Sequence, residues 1–356
     1  MAEKKLKWGI VGLGGIWNWG HSPDLLKHPE VEIAAVCDIV PKKVEKWTKE
    51  LGAKGYTDFQ QMIDDADLDV VDVCTPNLYH SKVAVAALKA GRHVFCEKPD
   101  AINPAEAQKM ADAAKKSGKT LMVMRNNRFS PQAQWLKKFI DAGEMGEVYT
   151  GRCGWQRRRG IPGKGGWFTT KALSGGGPLI DLGVHFLDVA MWLMNDPIPV
   201  AVSGCTYRKF ADMGEADSVH SKFGEAKANG TFDVEDLAIG FIRFANGASL
   251  QLEFSWASNI ETENTFVELR GTKAGATLNA KDHPLKIFSE NKAGTYDLVP
   301  KLHKFERSGH GMMLHHFVDV LQKRAKPIIK PETGVHMIKI LDAVYRSAAQ
   351  GKEVKL

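Results

Sequence analysis

The sequence predicts an α/β protein in two parts: a doubly wound domain over residues 1–126, then an α+β domain over 127–356 built on an open, mostly antiparallel sheet. Three observations carry this. The first third alternates short, almost wholly apolar runs with longer amphipathic stretches; the stretch from about Val200 to Val299 has alternating runs joined by glycine turns; and 356 residues are enough for two cores rather than one.

The apolar runs are KWGIVGLG, EIAAVCD, VVDVCTP, HVFCEKP and TLMVM, with helices expected between them near 41–51, 58–66, 79–90 and 104–117. Strands apolar on both faces and alternating with helices imply a parallel sheet covered on both sides. After NNRFSP the rhythm changes. A helix over 131–142 ends at AGEMG, and EVYTGRCGWQ starts a strand. Ala245-Asn246-Gly247-Ala248 marks a hairpin between two alternating runs, and FVELRGTKAGATLNA repeats the pattern through a glycine-containing loop. Successive hairpins make an antiparallel sheet, one face of which needs cover from helices or from another subunit. Helices return from His310 to Gly351, interrupted by KPIIKPE.

Composition narrows the function classes. At 44% hydrophobic and 25% charged, the chain reads as an ordinary globular protein. In the opening MAEKKLKWGIVGLGG the apolar run meets glycine too soon for a signal segment or a membrane span, so a cytoplasmic location is expected. The five cysteines, Cys37, Cys74, Cys96, Cys153 and Cys205, are scattered, without the close pairs of metal or redox motifs, and read as reduced, mostly buried thiols. The net charge is +6, but the lysines are dispersed and only Arg157–Arg159 forms a compact cluster. Neither nucleic acid nor membrane is therefore expected as a partner.

Gly12-x-Gly14 directly follows the first strand, where a tight turn lets backbone N–H groups approach a pyrophosphate at a helix N-terminus. The third fingerprint position is Trp17, which puts the usual close helix–strand packing in question. Asp38 ends the second strand where an acid accepts hydrogen bonds from an adenosine ribose; it repels a 2′-phosphate and has no adjoining arginine, so NAD is expected over NADP. A helix N-terminal acid ahead of Pro41 is the plainer account of Asp38. Pro76 and Asn77 end the strand VVDVCTP and are placed to line the cofactor trough, although a turn and helix cap explain them nearly as well.

Lys98 lies at the carboxyl end of the next strand, where open α/β sheets bind ligands, rather than merely pairing with Glu97 at the surface. Its expected partners are in SGGGPLIDLGVHFLDVAMWLM, where Asp181 and His185 stand four apart on one helical face. A carboxylate beside an imidazole suits removal of a hydroxyl proton as hydride leaves the same carbon. Asp188 lies on nearly the same face, so a metal set of Asp181, His185 and Asp188 is weighed against this; no metal is expected, because nicotinamide already supplies the electron acceptor. A structural Asp–His pair is the third account.

The runs GIVGLGGI, AAVCD, CTPNLYH, AGRHVFCEKP, NNRFSP, GGGPLIDLGVHFLDVAMWL and AVYRSAAQGKEVKL together resemble the Gfo/Idh/MocA family across nearly the whole chain. The resemblance implies an NAD-binding Rossmann domain and an α/β domain whose open sheet often builds dimers or tetramers. It implies that Lys98 polarises the reacting hydroxyl, Asp181 orients the substrate and His185 is the acid–base. The cofactor set it suggests is Gly12, Gly14, Gly15, Ile16, Asp38, Thr75, Pro76, Asn77, His80, Glu97, Lys98 and Asn127. For the substrate it suggests Lys98, Arg128, Trp155, Arg158, Trp167, Asp181 and His185, with WQRRRGIPGKGGWFTTKAL as a loop over the sugar in which Phe168 offers a further ring and Arg157 to Arg159 offer donors to hydroxyls or an anionic group. The implied activity is NAD-dependent hydride transfer from a secondary ring alcohol of a sugar, glycoside or cyclitol. The alternatives are a redox-neutral glycosidase that retains NAD and works through a 3-keto sugar, and a non-catalytic sugar-responsive regulator.

Overall fold

The computed structural model describes residues 5–212, 223–279 and 282–356. Residues 1–4 of the opening and Ala280, the last residue of the second expected hairpin, lie outside them. The chain divides into two compact units, 1–125 with 307–338 and 126–306 with 339–356. Among the described residues no helix is long and apolar enough to cross a membrane.

The first unit is built on β1 (Leu6–Val11), β2 (Val31–Cys37), β3 (Lys54–Tyr56), β4 (Val70–Val73), β5 (His93–Cys96) and β6 (Leu121–Val123), all parallel, in the order β3-β2-β1-β4-β5-β6. The chain steps one way from β1 to β3 and the other way from β4 to β6. Right-handed crossovers then put helices on both faces and open a crevice at the carboxyl ends of β1 and β4. The connecting helices are α1 (Ser22–Leu25), α2 (Pro41–Leu51), α3 (Phe59–Asp65), α4 (His80–Lys89) and α5 (Pro104–Ser117). Their ends are written locally: Asp58 and Asn103 accept the N–H groups of Gln61 and Glu106, and Gly52 and Gly118 end α2 and α5 in the left-handed conformation.

β4 is buried along its whole length and includes Asp72, a residue that needs partners inside the sheet. In the returning segment, Phe317 packs against Trp8 of β1 and Phe95 of β5, with ring centroids at 5.6 and 5.2 Å.

The second unit opens with α6 (Pro131–Asp141) and β7 (Val148–Gln156). Then come the short helices α7 (Lys171–Ser174) and α8 (Pro178–Asp181), and the longer α9 (Gly183–Leu193). Next are β8 (Pro199–Tyr207), β9 (Leu237–Phe244), β10 (Ser249–Ser255), β11 (Asn264–Gly271), β12 (Ala274–Leu278), β13 (Leu285–Asn291) and β14 (Gly294–Leu298). After α10 (Gly309–Leu321) of the first unit and α11 (Pro331–Gln350), within which the division falls, β15 (Val354–Lys355) ends the chain.

The sheet runs β14-β13-β12-β11-β7-β10-β9-β8-β15. Both expected hairpins are present, as β9–β10 and β11–β12. One pairing departs from the antiparallel rule: β7 and β10 run parallel, which the long helical crossover after β7 permits. α9 packs on β7, β10 and β11, and on that face lie Cys153, Trp155, Leu252 and Phe254. The opposite face carries a trough of about 790 Å³ bordered by Arg152, Gln156, Gln251, Glu253 and Phe266.

Candidate active site

In the first unit the glycine turn is forced by contact. Gly12 has φ +98°, and a Cβ there would sit 2.5 Å from the carbonyl oxygen of Cys74 at the end of β4. Only glycine suits both conditions. A Cβ on Gly14 would meet nothing within 4 Å, so the turn leaves a cradle over its backbone, and Gly15 beside it is exposed. Thr75 adds a buried Oγ1 with no hydrogen-bond partner. Asp38 takes the N–H of Leu13 on Oδ2 (2.8 Å) and that of Val40 on Oδ1 (2.9 Å), and each carboxylate oxygen has room for a second donor. A cradle, an orphaned hydroxyl and a strand-end acid fit a dinucleotide. Ile16 precedes a π-helical turn, Trp17–His21. Trp17 itself is fully buried and packs edge-on against Trp47 at 5.4 Å, so a large side chain fills the place where a third glycine would bring helix and strand together.

Lys98 is half-buried just past β5, and its bond to Pro99 is cis. Beneath it is a cluster that the sequence reading missed. His21 is wholly buried, with Nδ1 2.8 Å from Oδ2 of Asp72 and Nε2 2.8 Å from Oε1 of Glu97. Burial opposes charge on the ring, but the charge of Asp72 and the neighbouring hydrogen bonds outweigh it and raise the His21 pKa well above its ordinary value. Burial likewise pushes Glu97 up, yet the hydrogen bond and charge of His21 hold it down to about 2. His21, Asp72 and Cys74 have ligand atoms within 4.8 Å of one another, the spacing of a metal set, but both ring nitrogens already face carboxylates. His80 has its ring between the carbonyl oxygens of Pro99 (2.7 Å) and Thr75 (2.9 Å), so it ties the two strand-end loops together. Pro76 is half-buried and Asn77 buried on the loop between β4 and α4.

In the second unit, residues 176–194 are buried with two exceptions, Asp181 and His185, both half-exposed. The glycines before them are required by crowding: a Cβ on Gly176 would overlap the Tyr345 hydroxyl, and one on Gly177 the carbonyl oxygen of Glu235. Glu235, buried and raised in pKa by that burial, accepts the N–H groups of Gly177 (2.9 Å) and Leu179 (3.1 Å) and the Tyr345 hydroxyl (2.9 Å). This anchors α8, and with it Asp181, whose Oδ2 accepts the indole N–H of Trp256 at 3.0 Å. The ring of Trp155 lies 6.2 Å from that of His185.

The three arginines of the run differ in burial. Arg158 is exposed and Arg159 is held by Asn259, whereas Arg157 is buried, its guanidinium 4.5 Å from the Trp155 ring and its Nε without a partner. Burial lowers the Arg157 pKa against the charge of Asp181, which places the two side chains in one electrostatic neighbourhood. Arg128, expected at the substrate, instead closes its fork on Asp188, Nε and a terminal nitrogen each 2.7 Å from a carboxylate oxygen, with both residues buried. That pair also withdraws Asp188 from the metal set weighed above. Asn127 lies on the 3-10 turn that carries Arg128, and Trp167 stacks on Phe168 at 3.8 Å. The signal for Arg157 was in the sequence: strand alternation carried one step past β7 puts it on the same side as Trp155.

The first unit thus carries a strand-end glycine cradle of the kind that holds a dinucleotide, and the second a half-buried carboxylate and imidazole of the kind that moves protons. The chain belongs to the Gfo/Idh/MocA oxidoreductase family: residues 6–125 match its NAD-binding Rossmann fold and residues 137–356 its C-terminal alpha/beta domain, and the cofactor is accordingly NAD. It is 35% identical over 358 residues to the D-glucoside 3-dehydrogenase of Escherichia coli K12, covering 100% of this chain and 99% of that one. It is 30% identical to the levoglucosan dehydrogenase of Pseudarthrobacter phenanthrenivorans over 78% of this chain and 74% of that one. Among solved structures, GenD2 from gentamicin A biosynthesis in complex with NAD superposes with a TM-score of 0.79 at 27% identity, covering 100% of this chain and 97% of that one.

Proposed function

We propose that the protein is an NAD-dependent dehydrogenase that oxidises a secondary ring alcohol of a sugar, with D-glucosides as the substrate class. The observation that carries this is the exposure pattern of residues 176–194, in which only a carboxylate and an imidazole surface from a buried helical segment. The full-length identity to a D-glucoside 3-dehydrogenase supports the substrate class.

NAD, when bound, supplies the hydride acceptor. Lys98 donates to the reacting hydroxyl oxygen and stabilises its developing negative charge. His185 takes the hydroxyl proton as the alcohol carbon becomes a carbonyl. Asp181, oriented by Trp256, holds the sugar, while Trp155 offers an aromatic face to the ring C–H groups and Arg157 a donor to a neighbouring hydroxyl.

The test is a panel of D-glucosides, free hexoses, inositols and uronates with added NAD, read by NADH formation and by identification of the keto product. Stoichiometric NADH with a ketone on the ring of a D-glucoside is expected. Sugar release without NADH would contradict the dehydrogenase reading in favour of redox-neutral cleavage.

The open sheet face with its trough supports assembly into a homodimer or homotetramer, which sedimentation equilibrium tests; a monomer at working concentration overturns it. A cytoplasmic location fits the four buried free cysteines.

A further inference from the structure

We propose that His21 is a positioning residue for Lys98: clamped as an imidazolium between Asp72 and Glu97, it keeps Glu97 ionised and so fixes the backbone and charge around the lysine. The inference rests on the role given to Lys98 above.

A continuous chain of hydrogen bonds joins His21 to the Lys98 backbone. Asp72 on β4 receives Nδ1 of His21, Nε2 of His21 meets Oε1 of Glu97, and Oε2 of Glu97 accepts the backbone N–H of Lys98 at 3.1 Å. Glu97 is in turn pinned to β4 by its own N–H on the carbonyl oxygen of Val73 at 2.9 Å. Ordinary packing of a buried histidine needs one N–H donor and one acceptor. Here each ring nitrogen has a carboxylate oxygen at 2.8 Å, nearer than the Cys74 sulfur at 3.4 Å from Nδ1, and ionised carboxylates only accept, so both short contacts are satisfied when the ring carries both protons. One acid would suffice to hold the ring; the second leads to the lysine.

Charge balance agrees. Asp72 and Glu97 bring two negative charges into the sheet, and His21 and Lys98 bring two positive ones. The other groups facing the ring do not disturb this count. Cys74, with Sγ 3.4 Å from Nδ1, is pushed by burial up to about 12 and stays a thiol. His310 of α10 is lowered by burial and by the neighbouring charges of His21 and Lys98, opposed by those of Glu97 and Asp24 of α1. The π-helical turn is what delivers the ring: it carries His21 inward and leaves Asn18 and Trp19 exposed.

Without the imidazolium, two buried carboxylates lose the cation between them, which favours the protonated form of one of them. The clamp is tested first by ring-nitrogen NMR on 15N-histidine wild-type protein, with His21 assigned through its contact to the Phe95 ring at 5.6 Å. Both nitrogens should remain protonated at a pH where the exposed histidines have become neutral; a neutral His21 ring there overturns the clamp.

Its effect on the lysine is tested by kinetics of His21→Gln. We expect kcat to fall about ten- to a hundred-fold at neutral pH, as for loss of a hydrogen bond to a charged group. The sugar KM should stay within about three-fold, and the acid limb of the kcat/KM profile should move up by about one pH unit or more. Adding Glu97→Gln to His21→Gln should cost little further. An unmoved acid limb, or fully additive losses, overturns the positioning role. A wild type that oxidises no sugar defeats the functional reading instead, and the ring-nitrogen spectrum still decides the clamp without any turnover.

Discussion

Trp256 donates its indole N–H to Oδ2 of Asp181 across 3.0 Å, from a side chain with no exposed surface. A fixed donor of this kind helps to orient the carboxylate. Trp256→Phe keeps the aromatic packing and removes the donor. Its kcat/KM for the sugar should fall about ten-fold or more, as for a hydrogen bond to a charged group, with NAD affinity unchanged in a fluorescence titration.

The Arg128–Asp188 pair predicts a stability effect of a different size. Asp188→Asn removes the carboxylate in direct contact with a buried guanidinium, leaving Asp196 at 3.9 Å, and should cost up to about 3–5 kcal/mol in denaturant unfolding. Replacing both, as Arg128→Met with Asp188→Leu, should restore much of that loss. A single variant as stable as the wild type would show that water reaches the pair.

Gly12 and Gly14 separate folding from cofactor binding. Gly12→Ala meets the backbone of Cys74 at φ +98° and should lower both the thermal midpoint and NAD affinity. Gly14→Ala has open space in the protein and should leave the midpoint unchanged while its methyl group fills the cradle and weakens NAD. Calorimetric titration beside thermal unfolding distinguishes the two.

The His21 cluster gives stability a pH signature. Glu97, depressed from 4.5 to about 2, contributes stability that is present above pH 4.5 and lost as pH falls through about 2. His21, raised above 6.5, contributes stability that is complete below pH 6.5 and lost as pH rises through its folded pKa. Both contributions are complete between pH 4.5 and 6.5. The thermal advantage of the wild type over His21→Gln should therefore be largest in that window and shrink on the alkaline side, as scanning calorimetry in a pH series would show.

Much of this architecture was legible in local patterns. The glycine turn and Asp38 stood at the right strand ends, Ala245-Asn246-Gly247-Ala248 marked a real hairpin, and α2 and α5 ended at their glycines. What escaped was non-local. β3 is three residues long with two of them exposed, too little for periodicity to register. The parallel match of β7 with β10 depends on which strands meet, not on what either contains. His21 sits where a π-helical turn breaks the 3.6-residue spacing, so nothing in the letters showed which way its ring would face. Strand alternation singles out Arg157 from Arg158, but nothing local marks Arg128, whose ion-pair partner Asp188 lies 60 residues further on.

We propose that Lys98 and His185 carry the proton chemistry of one oxidation. The most direct measurement is turnover of a D-glucoside with NAD by Lys98→Met and His185→Ala, each checked for wild-type circular dichroism and NAD affinity. A loss in kcat of about a hundred-fold or more is expected in both folded variants. Near-normal turnover in either one would contradict it.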